Sequence, residues 1–192
     1  MKYSVLFDVD SILNTFIETT ADVLKENTGQ ALDVSMITEY QIEKCLPAEL
    51  VEQIYEIWGS KNFWDRLMPV AGAQECIKKL LFDGIEVFTM SDCSPHTMAW
   101  KTEWLREHFS LIPKKNIIFG APKHMFNCDF MVEDKLETLL VCRPGTYRIC
   151  VSYPWNDRGG DYDERHFIHR VSNLTEAYEY IKSVIDEEER SC

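Results

Sequence analysis

Acidic residues follow two short apolar runs of the sequence, and their arrangement indicates a metal site. Asp8 and Asp10 come directly after the first run, and Glu133 and Asp134 come directly after a later one. Four carboxylates that share one site repel one another strongly unless a divalent cation lies among them. Oxygen ligands without a histidine or cysteine pattern select a hard ion, and we therefore predict Mg²⁺.

Two further residues extend this pattern. Ser91 ends another apolar run, and Lys123 lies in the loop before the second acidic pair. Neither residue is informative alone, and a lone Asp-x-Asp after a strand is more often a turn or a helix cap. The four signals in consistent order favour a shared site, because ligands of open α/β sheets bind beyond the carboxyl ends of the strands.

The elements that must position these residues alternate between strand and helix. Apolar runs predict five strands, at 3–7, 85–90, 116–119, 130–132 and about 147–151. Helical spacing of apolar residues predicts helices at 14–28, 35–60, 73–81, 94–108 and 174–185. This alternation predicts an α/β fold with a mostly parallel central sheet flanked by helices, in which 35–60 is a helical insertion after the first strand.

Composition limits the classes of partner. Hydrophobic residues make up 45% of the 192 residues and aromatic residues 12%, which is enough for a folded core. The net charge of −12 argues against a nucleic-acid polymer as partner. The seven cysteines are scattered without a C-x-x-C pair, which favours reduced thiols over disulfides or a zinc site.

Hydropathy gives no sign of a membrane segment. No apolar run approaches the ~20 residues that span a bilayer. The first residues, MKYSVLFDVD, lack the apolar stretch of a secretory signal. We therefore expect a cytoplasmic protein that does not bind membranes.

Four short motifs resemble those of the haloacid dehalogenase-like (HAD) phosphohydrolases. They are FDVDSIL at 7–13, VFTMS at 87–91, Lys123 and MVED at 131–134. A finer resemblance to the 5′(3′)-deoxyribonucleotidases of the bacterial and phage-like branch rests on longer segments at 63–80, 101–109, 153–158 and 170–181. Departures from the family pattern are Ser11 in place of glycine, Thr15 in place of a frequent aspartate, and Glu133 in place of the commoner aspartate.

The resemblance implies a fold and a division into domains. It implies a Rossmann-like HAD core of residues 1–14 and 69–192, with a small helical cap of residues 15–68 inserted after the first strand. It also implies an enzyme that transfers a phosphoryl group through an aspartyl-phosphate.

The roles of the motif residues follow from the same resemblance. Asp8 is implied to be the nucleophile, and Asp10 the acid that protonates the leaving oxygen and then the base that activates water. Ser91 would hold phosphoryl oxygens, and Lys123 would neutralise the charge of the transferring group. Mg²⁺ would be held by Asp8, the backbone carbonyl of Asp10 and Asp134, with Glu133 acting through water.

Aromatic and charged residues near the insertion are candidates for substrate contacts. Phe63 and Trp64 could stack on a nucleobase, with Trp100 and Trp155 as further candidates, and ordinary packing is the alternative interpretation of each. Asp92 and Lys135, together with Ser91 and Lys123, are expected to line the substrate site. Lys135 and Arg158 could steer the phosphate, although isolated surface cations often have no such role.

The predicted function is Mg²⁺-dependent hydrolysis of nucleoside monophosphates to nucleoside and phosphate. One alternative is a phosphatase for another small phosphomonoester, since these motifs report the reaction and not the leaving group. A second alternative, outside catalysis, is a receiver-like switch that holds an aspartyl-phosphate without turnover. The expected partner is a small phosphorylated molecule, and the sequence leaves a homodimer open.

Overall fold

Six parallel strands form one central sheet in the computed structural model, which describes residues 3–191. The strands are β1 Ser4–Phe7, β2 Glu86–Ser91, β3 Ile117–Phe119, β4 Phe130–Glu133, β5 Tyr147–Val151 and β6 Ile168–Val171, in the order β3-β2-β1-β4-β5-β6. The helices are α1 Phe16–Thr28, α2 Ala48–Trp58, α3 Lys61–Trp64, α4 Ala73–Phe82, α5 Pro95–His108, α6 Leu136–Leu140, α7 Gly160–His166 and α8 Leu174–Ser191. The predicted α/β class and parallel sheet are confirmed.

Strand β1 lies at the centre of the sheet because its side chains are apolar on both faces. It pairs with β2 on one side and with β4 on the other. Val5, Leu6 and Phe7 have no exposed surface, as expected for a strand covered by helices on both faces. The backbone N–H of Asp8 donates to the carbonyl of Val132 at 3.0 Å. This pairing fixes the start of the Asp8 loop beside the end of β4.

The prediction of a helical insertion at 35–60 is confirmed from Ala48 onward and is wrong for residues 35–47. The chain forms single 3₁₀ turns at Val34–Met36 and Ile42–Lys44, and the α-helix α2 begins only at Ala48. Pro47 precedes α2, and a proline disfavours helical backbone in the residue before it. Residues 35–47 therefore form turns and loop instead of a continuous helix.

Strand β6 was missed because it lacks an apolar run. Ile168 and Val171 are buried, whereas His169 is exposed and Arg170 is half-buried. Among residues 3–191, β6 pairs with β5 alone and is therefore an edge strand, which does not need apolar residues on both faces.

The insertion joins the sheet through two adjacent chain segments. Asn14 and Pro69 form an antiparallel bridge, and the N–H of Thr15 donates to the carbonyl of Met68 at 2.9 Å. These contacts lie where the sequence placed the boundaries of the cap, at 14/15 and 68/69, and the division into two domains stays a prediction. Within residues 3–191, none of the helices has the length and apolar character that crossing a bilayer requires.

Candidate active site

Three carboxylates converge where β1 and β4 end. One oxygen from each of Asp8, Glu133 and Asp134 lies within 4.8 Å of the others, and all three residues are buried. Lys123 Nζ donates to Glu133 Oε2 at 2.5 Å and lies 2.7 Å from Asp8 Oδ1. Residues separated by more than a hundred positions thus meet in one cluster.

The cluster carries more negative charge than Lys123 can balance. Burial, and then the charge of Asp8, raises the pKa of Glu133. Burial, followed by the charges of Glu133 and Asp8, raises the pKa of Asp134 well above its ordinary value. Burial acts against the charge of Lys123, but Asp8 and Glu133 together hold the pKa of Lys123 above its ordinary value. A bound cation would relieve this repulsion.

The donor set of the cluster fits Mg²⁺. Its ligand atoms are carboxylate oxygens, which hard cations prefer. Asp134 Oδ1 is buried and has no hydrogen-bond partner among residues 3–191, whereas Asp134 Oδ2 accepts a hydrogen bond from Trp155 Nε1 at 3.1 Å. An ion would fill the place of the missing partner. The part of the Asp10 backbone carbonyl in holding the ion stays a prediction.

Mg²⁺ is expected to stabilise the protein, and Asp134→Asn should remove that effect. At a free Mg²⁺ concentration of a hundred times Kd, binding to the folded state alone adds about 2.7 kcal/mol to the free energy of unfolding. This increase raises Tm by roughly 5–10 °C in a chain of this size. Thermal unfolding in EDTA and in Mg²⁺ measures the shift. Asp157→Asn, which changes an exposed carboxyl on a neighbouring loop, should keep it. A full shift in Asp134→Asn would contradict the assignment of this carboxylate.

Asp10 and Ser91 share a partner that the sequence did not predict. Lys101, from α5, is 1% exposed. Its Nζ donates to Asp10 Oδ2 at 2.6 Å, to Ser91 Oγ at 2.7 Å and to the carbonyl of Asp92 at 3.2 Å. The lysine thus connects the loop after β1 with the end of β2. Lys101 is therefore a lysine of the site beyond Lys123 and Lys135, which the sequence predicted.

Lys101 was overlooked because helical lysines are usually solvated. One signal was present in the sequence, since positions 97, 101, 104 and 105 fall on one helical face. The structure shows that this face is buried. A lysine within a buried stripe needs a charged partner, and here that partner is Asp10.

Ser11 adopts a conformation that explains the glycine expected at its position. Its φ is 60°, in the left-handed region where side chains other than glycine are strained. Its N–H donates to Asn14 Oδ1 at 3.1 Å, and its carbonyl accepts from the Tyr153 hydroxyl at 2.5 Å. Asn14 Nδ2 also donates to Asp10 Oδ1 at 3.1 Å. These bonds hold the tight turn that directs Asp10 towards Lys101.

The structure does not support the predicted stacking role of Phe63 and Trp64. Phe63 has no exposed surface, and Trp64 is 4% exposed. Phe63 packs edge-on against Phe16 at 5.1 Å, and Trp64 Nε1 donates to the carbonyl of Trp58 at 2.9 Å. Both rings fill the junction between α1, α2 and α3. These contacts favour packing over stacking for both rings, and Trp64 also lines a small cleft together with Asp10 and Lys101.

A cleft lined by other aromatic residues opens beside the carboxylates. It has a volume of about 360 Å³, and Asp10 and Asp134 line it. Its apolar walls come mainly from the insertion, and they are Phe16, Ile17, Ile37, Tyr40, Ile42, Tyr55, Trp58 and Trp155. Burial, and then the charges of Asp134 and Asp8, raises the pKa of the Tyr40 hydroxyl. Tyr40 lines both this cleft and the neighbouring polar cleft that contains Asp8 and Glu133.

A second, more polar cleft of about 690 Å³ adjoins the first. Asp8, Ser91, Asp92, Lys123 and Lys135 all line it, and their contacts with a substrate stay a prediction. Lys135 Nζ also lies 4.6 Å from the centre of the Tyr40 ring. The remaining two candidates lie outside both clefts: Arg158 pairs with Glu39 at 3.6 Å, and the ring of Trp100 faces His96.

Comparison with known sequences identifies relatives over most of the chain. The model of the family 5′ nucleotidase, deoxy (Pyrimidine), cytosolic type C protein matches residues 2–186. A 5′(3′)-deoxyribonucleotidase of Bacillus subtilis is 30% identical over 149 residues, which cover 72% of this chain and 80% of the relative. The same function is named for a 25% identical relative from Clostridium acetobutylicum, over 69% of this chain and 73% of that one.

Comparison with solved structures identifies the fold. A HAD family hydrolase from Deinococcus radiodurans, solved with bound phosphate and sodium, has a TM-score of 0.63 at 16% identity and covers 97% of this chain and 96% of its own. The HAD hydrolase YfnB from Bacillus subtilis, solved with magnesium, has a TM-score of 0.56 at 16% identity over 94% of this chain and 99% of its own. The predicted Rossmann-like HAD fold is confirmed.

Proposed function

The chain belongs to the family of 5′ nucleotidase, deoxy (Pyrimidine), cytosolic type C proteins, and on this premise we propose that it hydrolyses deoxyribonucleoside monophosphates with Mg²⁺. It is a HAD-type phosphoric monoester hydrolase, which sets aside the alternative of a receiver-like switch. The observation that carries the proposal is the contact of the aromatic cleft with the carboxylate cluster, because a nucleotide needs both parts.

The first step of the proposed reaction takes place at Asp8. Its carboxylate attacks the phosphorus atom, and the leaving nucleoside oxygen departs as an aspartyl-phosphate forms. Lys123, 2.7 Å from Asp8 Oδ1, neutralises charge that the incoming phosphoryl group would otherwise add to the cluster. When bound between Asp8, Asp134 and, through water, Glu133, Mg²⁺ would supply further charge neutralisation at the phosphoryl oxygens.

Asp10 handles the proton in both halves of the proposed reaction. It gives a proton to the leaving nucleoside oxygen, and it then takes one from the water that attacks the phosphorus atom of the aspartyl-phosphate. Lys101 Nζ donates one hydrogen bond to Ser91 Oγ and another to Asp10 Oδ2. In the substrate complex, Lys101 Nζ and Ser91 Oγ would turn to phosphoryl oxygens, and Asp10, no longer paired with the lysine, would take up from water the proton that it then passes to the leaving oxygen.

The aromatic cleft supports a nucleoside as the leaving group, because its rings offer surfaces on which a nucleobase can stack. Tyr55 is 46% exposed, and its ring lies edge-on to Trp58 at 5.3 Å. Phe16 contacts the same Trp58 ring at 5.1 Å. Stacking of a base on such rings contributes about 1–3 kcal/mol. In this proposal the cleft rings replace Phe63 and Trp64 as the base contacts.

A phosphate-release screen tests the substrate class. We expect turnover of deoxyribonucleoside monophosphates in Mg²⁺, loss of turnover in EDTA, and weak turnover of glycerol phosphate. Tyr55→Ala should raise KM for the nucleotide by roughly tenfold, since it removes one stacking surface. The same variant should leave kcat/KM for glycerol phosphate unchanged, because that substrate has no base.

Two outcomes of the screen would contradict the proposal in different ways. Activity confined to sugar phosphates would eliminate the nucleotide as substrate and leave the chemistry at Asp8 intact, in favour of the alternative phosphomonoester. Equal loss of kcat/KM for both substrates in Tyr55→Ala would contradict a base contact at this ring.

A further inference from the structure

One loop contacts both chain segments that carry the site acids. Residues 153–156 follow β5, and the Tyr153 hydroxyl donates to the Ser11 carbonyl at 2.5 Å in the loop after β1. Trp155 Nε1 donates to Asp134 Oδ2 at 3.1 Å in the loop after β4. Asn156 Nδ2 donates to the backbone carbonyl of Asp134 at 2.8 Å. This loop therefore contacts both the turn that follows Asp10 and the carboxylate of Asp134.

The loop is held firmly in place. The Tyr153 and Trp155 rings stack at 4.3 Å with an angle of 6° between their planes. Asn156 Oδ1 accepts from the Tyr153 N–H at 3.1 Å and from Arg170 Nη1 at 2.7 Å. Arg170 is paired in turn with Asp163 at 2.6 Å. Trp155 is 6% exposed, so its N–H has little freedom to leave Asp134.

The Trp155 contact makes the two carboxylate oxygens of Asp134 different from each other. Oδ2 accepts the indole N–H, while Oδ1 is buried without a partner among residues 3–191 and belongs to the residue that completes the carboxylate cluster. An indole nitrogen donates and cannot accept, so it occupies Oδ2 as an acceptor and leaves Oδ1 available to a cation. Hydrogen bonds of this kind orient metal ligands and strengthen metal binding.

We propose that Trp155 is a positioning residue of the magnesium site, which orients Asp134 so that Oδ1 is directed towards the ion. This proposal rests on the proposed function only for the identity of the ion. Trp155 was a sequence candidate for nucleobase stacking, and its ring does form part of the cleft wall. Its indole N–H gives it the second, separate role.

Trp155→Phe tests the role of the N–H, since it keeps an aromatic ring in the cleft wall and removes the donor. We expect Mn²⁺, used as a probe, to bind the variant about 10–100-fold more weakly than the wild type, as measured by electron paramagnetic resonance. The matched control is Trp104→Phe. Trp104 is equally buried, and its Nε1 donates to the Leu67 carbonyl at 2.8 Å, away from the carboxylates. The control should bind Mn²⁺ like the wild type.

A second measurement needs no substitution in the site. The indole N–H resonance of Trp155 in the ¹⁵N-labelled wild-type protein should shift when Mg²⁺ is added, while that of Trp104 should stay in place. This experiment keeps the proposal falsifiable even where Trp155→Phe does not fold. A Trp155 resonance that is unmoved at saturating Mg²⁺ would overturn the proposal.

The outcomes separate this proposal from the proposed function. Wild-type Mn²⁺ affinity in Trp155→Phe would overturn the positioning role and leave the nucleotidase reaction untouched. Tight Mn²⁺ binding that depends on Trp155, in a protein that releases no phosphate from nucleotides, would support the positioning role and contradict the reaction. A wild-type protein that binds no Mn²⁺ would contradict both.

Discussion

Asp8→Asn is expected to lower kcat for deoxyribonucleoside monophosphates by about 10⁴-fold or more, as removal of a catalytic nucleophile does in other enzymes. The amide has nearly the shape of the carboxylate, but it cannot attack phosphorus. The substitution also removes one of the negative partners of Lys123 and one carboxylate of the cluster. Phosphate release at saturating Mg²⁺ measures the loss.

Asp65→Asn is the matched control for this prediction. Asp65 has a 59% exposed side chain and pairs with Lys61 in the insertion, away from the cluster. Its substitution makes the same chemical change and should leave kcat unaltered. Appreciable phosphatase activity of Asp8→Asn in Mg²⁺ would show that the nucleophile is another group.

Asp10→Asn is expected to lower kcat for nucleotides by about 10²–10⁴-fold, the usual contribution of a general acid or base. A nucleoside is a poor leaving group and needs the proton, whereas p-nitrophenol leaves without one. With p-nitrophenyl phosphate the variant should therefore release a burst of p-nitrophenol and then turn over slowly, because hydrolysis of the aspartyl-phosphate still lacks its base.

Lys101→Met separates the proton role of Asp10 from the ion pair that the substitution breaks. Since Lys101 donates to Asp10 and Ser91, Lys101→Met should raise KM for nucleotides and show no burst with p-nitrophenyl phosphate. Wild-type turnover of nucleotides by Asp10→Asn would place the acid at another residue.

The parts of the site that follow strand ends were predictable from sequence. Asp8 and Glu133 come directly after short apolar runs, and parallel strands bring such ends to one edge of a sheet. Lys123 lies in the loop before the second acidic pair, and in the structure it contacts both Asp8 and Glu133. The roles of these residues in the reaction stay proposals.

The parts that depend on tertiary packing were not predictable. Phe63 and Trp64 look like an exposed aromatic pair, but α1 covers them, and no local pattern shows which rings the insertion leaves open. Tyr40 lies in a segment whose predicted helix is replaced by turns. Trp155 lies 21 residues after Asp134 in the chain, and its indole N–H contacts Asp134 because β4 and β5 are neighbours in the sheet.

The covalent intermediate is the most direct test of the account. The wild-type protein is mixed with a ³²P-labelled deoxyribonucleoside monophosphate in Mg²⁺ and quenched in acid within one turnover, and the labelled peptide is reduced with borohydride and sequenced. We predict label on the peptide that contains Asp8 and homoserine at position 8 after reduction. Turnover with no covalent label, or with label on any other residue, would contradict the account.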